Sequence, residues 1–161
     1  MSIVDRVADA DLLWHYGRRE GALLNVLVAV SATARRTFPN VRGDRAAFEA
    51  FMKTTHGWTI AVEHRGVPVD MDSLFYTWLR CELVHVGSLP PDLRIDDQFT
   101  DPDACGVRAG GAPDYTVLLS PGWYQFFADA VRSAPANSEL RFHPPRPPRI
   151  TSNTRRSKPH R

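Results

Sequence analysis

Residues 70–87, DMDSLFYTWLRCELVHVG, form the stretch that decides the fold. Apolar side chains recur in it at intervals of three and four residues, the spacing that places them on one face of an α-helix. An aspartate at position 70 or 72 is a suitable start for this helix, and Gly87 is a suitable end. The segment therefore predicts a helix that supplies more core than any other part of the chain. The side chains predicted to face inward are Leu74, Phe75, Trp78, Leu79, Leu83 and Val86.

The same periodicity predicts helices on both sides of this segment, over 5–36, 44–56 and 120–134. Gly17 weakens the first of them, which is either one bent helix or two. Ser120 is expected to cap the last one. Alternating and β-branched residues indicate a small β element at 58–63, which could equally be loop, and a strand at 115–119. The segment 88–111 is predicted to be loop, with room for short strands at 93–95 and 107. The predicted fold is mostly α: a bundle of four or so helices with a small β element.

Charge and composition divide the 161 residues into two parts. From Glu139 onward seven basic side chains and one acidic one give +6, which leaves −4 for residues 1–138. This mildly acidic main part argues against a protein that binds nucleic acid with its whole surface. We predict a helical domain over 1–134 and a disordered Pro/Arg-rich tail over 135–161, because the tail has almost nothing to bury. Two cysteines and no long apolar run lead us to expect a cytoplasmic protein without a membrane anchor.

The end of the central helix carries the residues with the clearest chemical potential, Arg80 and His85. A guanidinium is permanently charged and holds a phosphate through two parallel hydrogen bonds. An imidazole exchanges a proton near neutral pH. Cleavage of RNA by internal attack of the 2′-hydroxyl needs these two services and no metal or cofactor.

This Arg-x4-His motif, in the context LFYTWLRCELVHVG, resembles that of HEPN domains (higher eukaryotes and prokaryotes nucleotide-binding). The resemblance implies a helical bundle and a metal-independent endoribonuclease of the kind found in toxin–antitoxin or defence systems. It makes Arg80 and His85 the catalytic pair, in a composite site formed by a homodimer that a neutralising or regulatory protein could control. On an α-helix the two residues lie about 140° apart around the axis, so a second copy is needed to close the site. The alternative is a non-catalytic HEPN-like module that binds a partner protein or nucleotide, which Cys81 and Gly87 favour because many active members carry other residues there.

Other residues near the motif have weaker functional interpretations. Glu82 is a candidate to contact substrate or to steer His85, although it could equally be an exposed helix charge. Arg35 and Arg36 could line a path for the RNA phosphates, or simply complement a helix C-terminus. No zinc site is expected from Cys81 and His85, because further ligands at suitable spacing are missing. In a third interpretation the protein is structural, and Arg80 and His85 serve only to hydrogen-bond the groups at the end of the helix.

Overall fold

The computed structural model describes residues 1–143. Its first two elements are the helices α1, Ile3–His15, and α2, Arg19–Thr37. A capping box between Ser2 and its partner three residues later starts α1. Gly17 has a φ of 71°, which ends the first helix in the left-handed region that glycine tolerates. The 5–36 segment is thus two helices.

A third helix, α3, spans Asp44–Thr55 and packs on α2. The central helix predicted from the sequence is continuous but changes its winding. It begins as α4, Met71–Leu74, becomes π-helical over Phe75–Cys81, and ends as α5, Glu82–His85. We call residues 71–85 the motif helix. In its π-helical part each backbone hydrogen bond spans one more residue than in an α-helix. This geometry is rare in proteins, and where it occurs it is often found at a functional site.

The motif helix buries most of the face that the sequence predicted, with two exceptions. Trp78 is only partly buried, and Val86 is 67% exposed instead of lying in the core. The helix ends before Val86, and Gly87 turns the chain away with a φ of 88°. The buried residues of this face are Leu74, Phe75, Leu79 and Leu83.

A β-hairpin leads into the motif helix. It consists of β1, Ala61–His64, and β2, Val67–Asp70, in antiparallel register. Arg65 and Gly66, with φ of 54° and 77°, form a tight turn of the kind that hairpins prefer. The hairpin fixes the direction in which the chain enters the motif helix, since the Met71 amide donates to the Ile60 carbonyl at 3.0 Å.

A second sheet follows the motif helix. Its strands are β3, Leu93–Ile95, β4, Val107–Ala109, and β5, Val117–Leu119. The central strand is β5, which is parallel to β3 and antiparallel to β4. Three of the predicted β positions are therefore strands of one small sheet.

The last long helix, α6, spans Gly122–Ser133. Ser120 does not cap it, contrary to the prediction. The Ser120 hydroxyl instead donates to the Ala104 carbonyl at 2.5 Å and accepts from the Gly106 amide at 2.7 Å. It thereby ties the loop before β4 to the start of α6. The core lies where α2, α3, the motif helix and α6 meet.

Packing continues beyond Ala134, the predicted domain boundary. Pro135–Asn137 form a short 3₁₀ turn, and the Asn137 side chain is buried. Its amide donates to the Thr33 hydroxyl and to a backbone carbonyl of α6, both at 2.9 Å. The greater part of the predicted disordered tail, residues 144–161, lies outside the described residues. Among the described helices, none combines the length and the apolar character that crossing a membrane requires.

Candidate functional site

Arg80 lies at the end of the π-helical segment and is half-buried. Its guanidinium carbon lies over the Tyr76 ring, 5.3 Å from the centroid, and its Nη1 approaches the Cys81 sulfur at 3.9 Å. Its Nε is buried and has no hydrogen-bond partner. Within residues 1–143 no carboxylate forms an ion pair with it. The charge of Arg80 is therefore not neutralised by the described part of the chain.

His85 is the last residue of α5 and is exposed. In the part of the chain that the structure describes, its ring makes no hydrogen bond or ion pair. Val84 and Val86, on either side of it, are 41% and 67% exposed. Just beyond, the Leu89 amide donates to the Glu20 carboxylate at 3.4 Å, which holds this end of the motif helix beside the start of α2. The imidazole thus projects from an apolar surface at a fixed helix end.

Glu82 does not hydrogen-bond to His85 within the described residues. It is half-buried and acts electrostatically on Arg65 of the hairpin turn. The pKa of Arg65 is raised mainly by its hydrogen bonds to Asp92, with Glu82 adding a smaller Coulombic contribution. Within the described residues Glu82 therefore has no steering contact with the histidine.

Arg35 and Arg36 lie in the last turn of α2 and contact different neighbours. Arg35 donates to the Val41 carbonyl at 2.6 Å and lies 3.8 Å from the Asp44 carboxylate. Arg36 donates to the backbone beyond α6 and forms an ion pair with Glu139. Neither contacts Arg80 directly.

Tyr76 is a neighbour of the motif that the sequence analysis did not single out. It lies one helical turn before Arg80, and burial raises the pKa of its hydroxyl, with Arg80 opposing and Cys81 and Asp44 adding to this shift. These groups therefore share one partly buried surface. The available signal was the four-residue spacing from Tyr76 to Arg80, which aligns two side chains on a helix.

A second polar cluster joins the hairpin to the loop after the motif helix. The Asp92 carboxylate accepts hydrogen bonds from His64 Nε2 at 3.1 Å and from Arg65 Nε and Nη2 at 2.7 and 3.0 Å. Trp78 lies against both donors, 4.8 Å from the His64 ring and 4.2 Å from the Arg65 guanidinium. We call these four residues the Asp92 clamp. Since both oxygens of the carboxylate are used by donors of the same cluster, it is best explained as a support for the fold.

A third cluster contains a buried histidine–aspartate pair. His56 Nε2 lies 3.0 Å from Asp72 Oδ1, and the two side chains are only 5% and 2% exposed. The His56 ring stacks on Trp58 with a centroid separation of 3.5 Å. Its second nitrogen, Nδ1, is buried without a hydrogen-bond partner. Sixteen residues separate the pair in sequence, so no local motif could reveal it, and the sequence predicts only that a helix ends at position 56.

The His56–Asp72 pair lines a cavity of about 280 Å³ at the junction of α3 and the motif helix. Burial raises the pKa of Asp72, while its hydrogen bond to His56 opposes this shift. The Asp70 carboxylate caps α4 by accepting from the Asp72 amide at 3.0 Å. Residues lining this cavity are Lys53, His56, Gly57, Trp58, Thr59, Asp70 and Asp72.

No group of three or more histidine, cysteine, aspartate or glutamate side chains in the described residues is arranged to hold a metal ion. Comparison with models of known protein families, with curated proteins and with solved structures finds no match to this chain. The function must therefore be inferred from the chemistry of the residues described above.

Proposed function

We propose that this protein is a HEPN-like domain that acts as a homodimer and cleaves RNA without a metal ion, using Arg80 and His85. The observation that carries the proposal is that the Arg80 charge and the His85 ring are both still available to interact with a substrate. The Arg80 guanidinium has no carboxylate partner within residues 1–143, and the exposed His85 ring has no hydrogen-bond partner there. A pair serving only to stabilise the helix end would be expected to use these groups.

The two residues have complementary roles in the proposed reaction. The 2′-hydroxyl of one nucleotide attacks the adjacent phosphorus, and the bond to the 5′-oxygen breaks. His85 takes the proton from the attacking hydroxyl or delivers one to the leaving oxygen, the two roles that an imidazole has in general acid–base catalysis. Arg80 stabilises the added negative charge on the phosphate through charge-assisted hydrogen bonds. The products are a cyclic phosphate and a 5′-hydroxyl.

The surface around His85 supports a dimeric arrangement. Val84 and Val86 expose apolar area on both sides of the imidazole, and burying such area is the main favourable term in protein association. Because Arg80 and His85 do not contact each other in one copy, we infer that His85 of one copy works with Arg80 of the other. In this arrangement the Tyr76 ring packs against the Arg80 guanidinium.

The test is cleavage of a mixed RNA pool in the presence of EDTA by the wild type, Arg80→Ala and His85→Ala. Each replacement is expected to lower the cleavage rate by about 100-fold or more. The controls are His15→Ala, which removes another exposed histidine from a helix end, and Arg42→Ala, which removes an arginine that, unlike Arg80, is fully exposed. All five proteins are first compared by circular dichroism and by their oligomeric state.

Cleavage that survives in the controls and disappears in both motif variants supports the proposal. Equal cleavage by all five proteins would indicate a contaminating nuclease and would overturn it. If the intact wild type cuts no RNA between pH 5 and 9, the non-catalytic alternative takes its place. In that case His85→Ala should still bind the partner protein or nucleotide.

A further inference from the structure

We propose that Arg45, in the first turn of α3, binds a second phosphate of the RNA strand whose scissile phosphate is held by Arg80. The inference rests on the proposed function and deepens it, because it adds a binding residue from another helix to the site of the Arg-x4-His motif. Three observations support it: the alignment of α3 with the motif helix, the donors that Arg45 leaves free, and the charge of the surface around both arginines.

Helix α3 and the motif helix pack side by side in opposite directions. In order along the motif helix, their contacts are His56–Asp72 at 3.0 Å, Glu49–Ser73 at 2.9 Å and Phe48–Tyr76 with ring centroids 5.4 Å apart. Each contact further along the motif helix thus comes from a residue nearer the start of α3. Extending this order by one turn in both helices brings Arg45 to the level of Arg80.

The side chain of Arg45 is fixed toward the motif helix and still has donors to offer. Its Nε donates to Glu49 Oε1 at 2.8 Å, and the same oxygen accepts from the Ser73 hydroxyl at 2.9 Å. Glu49 therefore ties Arg45 to the motif helix. Within residues 1–143 neither Nη of Arg45 makes a hydrogen bond, and the side chain is 57% exposed. Two amino groups of the guanidinium are therefore free to hold a phosphate.

Arg45 and Arg80 act on the same side chains of the motif helix. The pKa of Arg45 is raised mainly by its hydrogen bond to Glu49, with Tyr76 and Cys81 adding smaller Coulombic contributions. Arg80 lies over the same Tyr76 ring, and its Nη1 approaches the same Cys81 sulfur at 3.9 Å. The two guanidinium groups therefore flank one surface, the part of the motif helix around Tyr76.

The charge of this surface favours an anion. Its two carboxylates already have arginine partners, since Glu49 pairs with Arg45 and Asp44 lies 3.8 Å from Arg35. Arg80 has no carboxylate partner within the described residues, which leaves the set with one net positive charge. Contacts to phosphate fix the register and orientation of a nucleic acid without reading its sequence. Arg45 is therefore expected to position the RNA strand and to leave the choice of sequence to other groups.

The experiment measures how the full-length protein binds a single-stranded 2′-O-methyl RNA oligonucleotide of mixed sequence. This RNA lacks the attacking hydroxyl, so it is bound without being cut. Fluorescence anisotropy gives the association constant over a series of salt concentrations. Arg45→Gln removes the charge and retains a good helix former, and Arg45→Lys retains the charge. Arg108→Gln is the matched control, because Arg108 is 53% exposed, pairs with a carboxylate and stacks on an aromatic ring in the second sheet.

The expected effect follows from the release of counterions. One phosphate contact contributes about 0.7 to the slope of log K against log salt concentration for a single strand. Arg45→Gln should therefore lower the magnitude of this slope by about 0.7 and weaken binding about fivefold at roughly 0.1 M salt. Arg45→Lys and Arg108→Gln should keep the slope of the wild type. A purely structural role of Arg45 would leave the slope unchanged.

Absence of binding by the wild type, or an unchanged slope in a folded Arg45→Gln, would overturn the inference. An equal loss in Arg108→Gln would also overturn it, because the effect would then reflect the total charge of the protein. The outcome is distinct from that of the ribonuclease proposal. Binding that depends on Arg45 in a wild type that cuts no RNA supports this phosphate site and refutes the ribonuclease. Cleavage by the wild type together with binding that does not depend on Arg45 has the opposite meaning.

Discussion

Replacement of Asp92 by alanine should destabilise the fold substantially, because one carboxylate satisfies three donors. Two of the donors belong to Arg65, whose side chain is 47% exposed and can return to water. Their loss contributes at most about 1 kcal/mol. The third is His64, whose side chain is 1% exposed. Leaving its Nε2 without an acceptor costs about 1–3 kcal/mol.

Together these terms predict that Asp92→Ala lowers the free energy of unfolding by about 1–4 kcal/mol and Tm by roughly 2–15 °C. The measurement is urea denaturation followed by tryptophan fluorescence. Asp97→Ala is the matched control, since it removes a single ion pair with Arg19 and should cost less than about 1 kcal/mol. Equal effects of the two replacements would refute the reasoning, because His64 would then not depend on Asp92.

The pKa of Asp92 also lets us predict how the difference in stability between the wild type and Asp92→Asn depends on pH. Hydrogen bonds from Arg65 hold the pKa of Asp92 below its ordinary value of 3.8. A lowered pKa in the folded state means that ionised Asp92 stabilises the fold above about pH 4, and that this contribution is lost as the pH falls through the folded-state pKa. The stability gap between the two proteins should therefore be constant near neutral pH and shrink below pH 4.

Three further replacements test other parts of the fold by the same denaturation assay. Tyr124→Phe should cost about 1.5–3 kcal/mol, because the buried Tyr124 hydroxyl donates to the Asp11 carboxylate at 2.7 Å; an unchanged midpoint would contradict this. Asn137→Ala should cost about 2 kcal/mol through two lost buried hydrogen bonds, and no loss would mean that the segment after α6 does not contribute to stability. Gly122→Ala should cost about 2 kcal/mol or more, since an added Cβ would overlap a carbonyl oxygen of the preceding loop; a neutral result would show that this loop can move away.

The helices and several strands were predictable from the sequence because their signals are local. Apolar spacing located α2, α3, the motif helix and α6, and Gly17 marked the break after α1. The hairpin was only half predicted. Its second strand, Val67–Asp70, was missed because Asp70 was interpreted solely as a helix cap, although it also ends the strand. Arg65-Gly66 was the overlooked turn signal.

The candidate sites were less predictable because their contacts cross between elements. Apolar spacing could not distinguish a π-helical turn from an α-helical one, so the setting of Arg80 against Tyr76 was not anticipated. Ser120 has the composition of a cap, but tertiary hydrogen bonds to the loop around Gly106 determine its role. The His56–Asp72 pair exists only after α3 and the motif helix have packed.

The parallel pairing of β3 with β5 has a consequence for how the chain folds. Leu93 pairs with Val117, so the strand needs a partner that is synthesised 24 residues later. Contacts between residues far apart in sequence close slowly, because the entropy of a long loop must be lost first. The core also depends on contacts between residues far apart in sequence, because α6 packs on α2. A nascent chain on the ribosome should therefore form α1–α3 early and complete its cooperative fold only after α6 has emerged.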